Sequence, residues 1–302
     1  MRWRIVAPAS IANLGPGFDT LAAAVDLATI LEAERAAHFE LQLAGEGVDR
    51  LPAGRTNLLA RGYEAVAAAL GAEPPPARLR CLSRIPLARG LGSSAAALVA
   101  GGLAACAMLG VQPDPMRLLG VLAPLEGHAD NLAACLLGGL AVAWIDAEST
   151  ARARRLPCPA PPPLALVIPE FEGETARARA VLPAAVPRAD AVHNLQRLSL
   201  LLLALSSGSH AELGAALADR LHEPYRVALY PGLEAVRAAA PAHGALGTCL
   251  AGAGPSLLAI PRPGVDAAVL ARALAACWRE QGVAARALAA SIAERGAHLQ
   301  PA

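Results

Sequence analysis

The run Pro86-Leu-Ala-Arg-Gly-Leu-Gly-Ser-Ser-Ala-Ala96 joins two glycines and two hydroxyls to the start of a long apolar stretch. That is the composition of a loop that cradles phosphate. Gly90 and Gly92 allow the backbone to turn tightly and approach a ligand. Ser93 and Ser94 supply hydroxyls, and the unpaired amides opening the next helix face an anion. The segment lacks the lysine of a P-loop, and the chain contains none at all, so its 26 basic residues are all arginine. A Walker-type NTPase and a pyridoxal-phosphate Schiff base are thereby excluded. The other reading of the segment is structural: a glycine-rich turn on a buried helix, with Ser94 as a plain N-cap.

Three further segments stand in order around it. They are Ala7-Pro-Ala-Ser-Ile-Ala-Asn13-Leu-Gly-Pro-Gly-Phe-Asp19, then Glu126-Gly-His128-Ala-Asp130-Asn131 with Leu136-Leu-Gly-Gly139, then Gly247-Thr-Cys-Leu-Ala-Gly252-Ala-Gly254-Pro-Ser256. The four together resemble the GHMP small-molecule kinases, and the A-N-L-G-P-G-F-D and E-G-H-x-D-N strings are similar to those of the homoserine kinases within that family. The resemblance spans about residues 2 to 262. Ala129 stands where many relatives carry proline, and Pro124 removes a helix hydrogen bond just before Glu126.

Phosphoryl transfer needs the phosphate, a metal and the acceptor hydroxyl held in line with their charge neutralised. The resemblance implies ATP and Mg²⁺, with L-homoserine as acceptor and threonine biosynthesis as the setting. Pro86, Arg89, Gly90, Leu91, Gly92, Ser93, Ser94, Ala95 and Ala96 would form the ATP loop, and Asn57 would touch adenine or simply cap a helix. Arg89 reads either as an extra cation or as a solvated surface charge. Ser94 and Glu126 would hold the metal, which takes hard oxygen ligands. Asn131 would hold the acceptor hydroxyl, while Asn13, Asp19 and His128 surround its amino group. Asp19 reads as a general base or as a positioning group; an amide facing the hydroxyl cannot take a proton, which favours positioning. Thr175, Arg179, Arg226 and Gly254 would complete the acceptor site, with the guanidinium forks on the carboxylate. Arg177 lies two residues from Arg179, and the following Val-Leu-Pro favours Arg179. A kinase for another small alcohol and a silent ATP-binding metabolite sensor remain as alternatives.

The elements that must position these residues alternate between strand and helix. Residues 3–6 read as a strand ending in the loop that carries Asn13 and Asp19, residues 39–43 as another strand, and 57–70 as an amphipathic helix behind Thr56-Asn57. A strand over 78–85 leads into the phosphate loop, and 140–144 reads as the last strand of the first unit. The proline-rich run 157–163 is the sharpest shift in composition, dividing the chain into 1–156 and 157–302. Beyond it, 164–168 and 257–260 read as strands, and 192–205, 211–221 and 232–240 as helices. The fold class is α+β. The resemblance implies a ribosomal-S5-like ATP-binding domain followed by a ferredoxin-like domain that contributes to the acceptor site.

A chain of 302 residues is long enough for two cores. A net charge of +1 with 17% charged residues offers no basic face for nucleic acid. Six scattered cysteines without metal spacing suit a reduced, cytoplasmic protein. Pro8, Ser10 and Asn13 break the first apolar run before it reaches signal-peptide length. The alanine-rich stretch 95–111, with Gly101-Gly102, reads as an interior helix rather than a membrane span. A homodimer is the expected assembly.

Overall fold

The computed structural model describes residues 2–302. Strands β1 (Arg2–Asn13), β2 (Gly17–Arg35) and β3 (Glu40–Gly45) open the chain. Helix α1 (Leu58–Ala69), strand β4 (Ala77–Ser83) and helices α2 (Ser93–Leu109), α3 (Pro115–Glu126) and α4 (Asp130–Leu137) follow, then the hairpin β5 (Leu140–Ile145) and β6 (Ala151–Leu156). These strands join one sheet in the order β1-β2-β4-β3. The long β2 pairs β5 through its first part, Leu21–Ala23, and β4 through its last, Thr29–Arg35. One edge of β2 thereby serves two partners while β1 pairs the other, and the sheet parts along it. Helix α2 is apolar all round and is buried accordingly. It lies against α1 at small residues: a Cβ on Gly101 would fall 2.0 Å from the Leu59 carbonyl oxygen, and one on Gly62 2.3 Å from that of Leu98.

The second half begins with β7 (Leu164–Pro169) and continues through α5 (Thr175–Ala180), α6 (Arg188–Ser207), α7 (Leu213–Ala216), α8 (Glu223–Arg226) and α9 (Leu233–Ala239). Strands β8 (Ala245–Leu250) and β9 (Leu257–Pro261), helix α10 (Ala267–Glu280) and strands β10 (Ala285–Ala290) and β11 (His298–Pro301) complete it. An antiparallel sheet runs in the order β10-β7-β9-β8. The unbroken apolar run of β7 has a plain cause, since both its faces are covered. Leu164, Leu166 and Ile168 join the core of the first half, whereas Ala165 and Val167 meet Leu233, Leu270 and Trp278 of α9 and α10.

Several expectations change. The first strand does not end before Pro8; it continues to Asn13 through a bulge at Pro8/Ala9, which lets a residue without an N–H sit in a ladder. The helix expected over 211–221 shrinks to the single turn α7. Gly214 packs against the backbone of Leu246, where a Cβ would fall 2.2 Å from the carbonyl oxygen. The Asp219 carboxylate then accepts the N–H groups of Leu221, His222 and Glu223, diverting the backbone from a helical ladder. The hairpin strand β6 lies beyond the expected last strand of the first half. Strand β11 crosses back to pair β1, so the first sheet draws a strand from residues 298–301.

Candidate active site

A polar cavity of about 600 Å³ lies where the phosphate loop, the Asn13–Asp19 turn, the α3–α4 junction and the Gly252 turn converge. Helix α2 opens without a side-chain cap, behind Gly92 in the left-handed conformation at φ 67°. The first helical bond is Ala96 N–H to the Gly92 carbonyl, so the amides of Ser93, Ser94 and Ala95 are the orphan donors of a helix N-terminus, where the helix dipole favours an anion. The glycines have steric reasons. A Cβ on Gly90 would fall 2.0 Å from the Ala251 carbonyl oxygen, and one on Gly92 2.2 Å from Ser10 Oγ. Ser10, absent from the sequence-based site, fixes the loop twice: its N–H donates to the Leu91 carbonyl, and its hydroxyl donates to Asn131 Oδ1 at 2.8 Å.

Arg89 lines the cavity and is not a solvated surface charge, and its guanidinium is engaged within the protein. Its guanidinium donates to the carbonyls of Leu87, Ala88, Pro169 and Glu170 and is only 12% exposed. It ties the phosphate loop to β7 instead of standing free as a cation or in solvent. Pro86 lies outside the cavity lining, and Ala95 and Ala96 are fully buried behind it. Ala95 offers only its backbone N–H, and that of Ala96 is already bonded to the Gly92 carbonyl.

Glu126 ends α3, and Pro124 in the preceding turn does not turn it away: the Ser94 hydroxyl donates to its Oε1 at 2.5 Å. Burial pushes the Glu126 carboxyl up, against the Ser94 bond and the neighbouring His128, which favour its ionised form. Among the described residues no three His, Cys, Asp or Glu side chains cluster as a metal centre. One buried carboxylate with an adjoining hydroxyl suits Mg²⁺, which draws its remaining ligands from phosphate and water. His128 Nε2 lies 3.8 Å from Glu126, and its Nδ1 meets Asp130 Oδ1 at 2.8 Å. Burial opposes the imidazolium and is the largest single influence, yet the Asp130 hydrogen bond together with the negative charges of Asp130 and Glu126 raises the His128 pKa. Asp130, unassigned from sequence, is therefore the group that orients His128, and it also accepts the Asn131 N–H at 2.7 Å.

Across the cavity Asp19 and Arg179 form a two-pronged ion pair at 2.7 and 2.8 Å. Asp19 is held at φ 53°, in a turn where Asn13, Leu14 and Gly15 are also left-handed. Asn13 holds that turn together: its Oδ1 accepts the Asp19 N–H and its Nδ2 donates to the Gly252 carbonyl at 2.8 Å. Its amide is thus engaged within the protein while it lines the cavity. Arg226 is 1% exposed and reaches the same cavity; its Nε donates to the Ala178 carbonyl and its Nη1 to His222 Nδ1. Both guanidiniums approach the Phe18 ring, whose centroid is 5.8 Å from Arg179 Cζ and 5.3 Å from Arg226 Cζ. Thr175 lines the wall; Arg177 is exposed and outside the lining. Gly254 also falls outside, because its backbone backs onto the Tyr230 ring, where a Cβ would fall 2.5 Å away. Gly252 and Ala253 form the wall in its place.

A second cavity, of about 850 Å³ with mainly apolar walls, shares Ser93 and Ser94 with the first. Leu43, Leu51, Leu58, Ile85 and Leu87 line it, together with Asn57. Asn57 caps α1: its Oδ1 accepts the Leu59 N–H and its Nδ2 donates to the Pro52 carbonyl. The capping reading of Asn57 is the one its side chain adopts, and a bond to adenine would fall to the second Nδ2 hydrogen or to the remaining lone pair of Oδ1.

The models of the GHMP kinases N terminal domain and the GHMP kinases C terminal domain match residues 57–139 and 200–280. A homoserine kinase of Solibacter usitatus is 43% identical over 97% of this chain and 95% of its own length. One of Thermus thermophilus is 44% identical over 92% of this chain and 93% of its own. A crystal structure of homoserine kinase from Cytophaga hutchinsonii superposes with a TM-score of 0.88 at 27% identity, covering 99% of this chain and 97% of that one. A mevalonate kinase structure, 15% identical with a TM-score of 0.70, shares the fold.

Proposed function

We propose, on the premise that this chain belongs to the homoserine kinases of the GHMP kinase family, that it transfers the γ-phosphoryl group of ATP to L-homoserine, giving O-phospho-L-homoserine and ADP for threonine biosynthesis. The observation that carries this reading is the Asp19–Arg179 pair, with Arg226 beside it, in the same cavity as the uncapped amides of α2. An amino acid brings an ammonium and a carboxylate together. Opening the pair offers Asp19 to the first and Arg179 with Arg226 to the second, so opposite charges are replaced in kind. Mevalonate, with a carboxylate and no amine, would leave Asp19 without a partner.

The base of ATP suits the apolar cavity and its phosphates the amides of Ser93, Ser94 and Ala95, because the loop lies between the two spaces. Mg²⁺, held by Ser94 and Glu126, would neutralise charge on the phosphates. Asn131, fixed by Ser10 and by the Asp130–His128 unit, orients the acceptor hydroxyl. An amide is not a base, so these side chains act by positioning and by charge. We also propose that residues 1–156 and 157–302 are the two domains, the second returning β11 to the sheet of the first, that the protein works in the cytoplasm, and that it pairs as a homodimer. The exposed Val192, Leu195 and Leu203 of α6 support that last point. No helix among the described residues is long and apolar enough to cross a membrane. Coupled ADP release across homoserine, mevalonate and galactose tests the reading: activity confined to homoserine is expected, and equal or greater activity on either other alcohol refutes it.

A further inference from the structure

His222 is fully buried, lies outside the cavity lining, and has no part in the chemistry described above. Its two ring nitrogens nevertheless reach the two sides of the acceptor site. Arg226 Nη1 donates to Nδ1 at 2.9 Å, and Nε2 meets the Gly15 carbonyl at 2.8 Å. A guanidinium only donates and a carbonyl only accepts. The ring is therefore neutral, with its proton on Nε2 and a lone pair on Nδ1. Its face stacks on Phe18 at 5.1 Å between centroids, and Phe18 in turn faces both Arg226 and Arg179. The backbone of His222 is fixed as well: Asp219, itself held by Asn194 Nδ2 at 2.7 Å, accepts its N–H.

A guanidinium on a flexible stem loses rotamer freedom when it binds a carboxylate, and holding it in place beforehand removes that cost from binding. Arg226 has its Nε and Nη1 fixed, leaving Nη2 without a protein partner among the described residues. We infer that His222 is a positioning residue for acceptor recognition: through the Nδ1 lone pair it holds Arg226 aimed at the carboxylate of the bound amino acid. This inference rests on the amino-acid reading of the site.

Two substitutions separate the nitrogens, because an asparagine amide reaches the place of Nδ1 and a glutamine amide the place of Nε2. His222→Asn retains an acceptor for Arg226, whereas His222→Gln retains a donor for Gly15. The expected result is a homoserine KM within about threefold of wild type in His222→Asn and raised about tenfold or more in His222→Gln, with the ATP KM unchanged in both. Equal homoserine KM values in the two variants overturn the inference, as does a loss shared equally by ATP and homoserine. A larger loss in His222→Asn than in His222→Gln overturns it too, assigning the effect to Gly15. Should neither variant fold, long-range ¹H–¹⁵N correlation on the wild-type enzyme reads the tautomer directly: a proton on Nε2 alone supports the inference, and one on Nδ1 overturns it. Absence of homoserine-dependent ADP release in wild type would instead overturn the amino-acid reading, leaving the tautomer result to stand by itself.

Discussion

Among the individual side chains, the Ser94–Glu126 contact and the two arginines carry the most chemistry. Ser94→Ala removes a hydroxyl from the first turn of α2 without changing the helix, so turnover should fall at least tenfold with the thermal midpoint nearly unchanged; full activity would rule out contact with metal or phosphate. Glu126 has a carboxyl pushed up from 4.5 by burial, so it keeps its proton to a higher pH than a free glutamate. Mg²⁺ requires the ionised form. The Mg²⁺ concentration for half-maximal rate should therefore fall as pH rises through this raised value, and a flat profile above pH 4.5 would show that Glu126 does not bind the metal. A hydrogen bond to a charged group contributes roughly 1.5–3 kcal/mol and each ~1.4 kcal/mol is tenfold. Arg179→Ala or Arg226→Ala should thus lower kcat/KM for homoserine by about 10- to 150-fold. On 3-amino-1-propanol, which lacks the carboxylate, they should lose little more than wild type has already lost. Arg177→Ala, at an exposed position outside the cavity, is the control. The motif residues were legible because residue type restricts chemistry. Arg89 and Gly254 were not, since nothing in their local sequence reveals the carbonyls of Pro169 and Glu170 or the ring of Tyr230 lying over them.

At the level of elements, the phosphate loop works because the second sheet braces it. Arg89 donates to two carbonyls at the end of β7, and the Gly173 N–H donates to the Ala88 carbonyl. Replacing Arg89 by methionine keeps the stem and removes these bonds, so the ATP KM should rise roughly tenfold, on the order of 1.4 kcal/mol. An unchanged ATP KM would show that the loop holds its shape alone. Elements with strong local patterns were legible: the Asn57-capped helix and the buried β7 fall within a residue or two of where periodicity places them. The long β2 was not. Its run of alanines, Ala22–Ala24 and Ala28, has low strand propensity and becomes a strand because β1, β4 and β5 pair with it. The helix expected over 211–221 failed for the opposite reason, local periodicity losing to Asp219 and to the tight packing of Gly214.

Across the whole molecule, the composition shift at 157–163 separates the strands of the first sheet from β7, yet it could not reveal that the chain returns. Strand β11 pairs Trp3–Val6 of β1, and Asp26 accepts from the Ser291 N–H and hydroxyl, so residues near the C-terminus close the first sheet. Long-range pairing of this kind leaves no local signal. Removing residues 298–302 forfeits several backbone hydrogen bonds at ~1 kcal/mol each, which at about 2 °C per kcal/mol for a chain of this size should lower the thermal midpoint by roughly 5 °C. No shift would mean that β11 adds nothing to the first sheet. The proposed reaction passes phosphate from ATP to the hydroxyl of a zwitterionic amino acid. Phosphorus NMR of the wild-type enzyme with ATP, Mg²⁺ and L-homoserine tests this most directly. O-phosphohomoserine should appear in step with ADP, whereas ADP accompanied only by inorganic phosphate, or no consumption of ATP when homoserine is added, would contradict it.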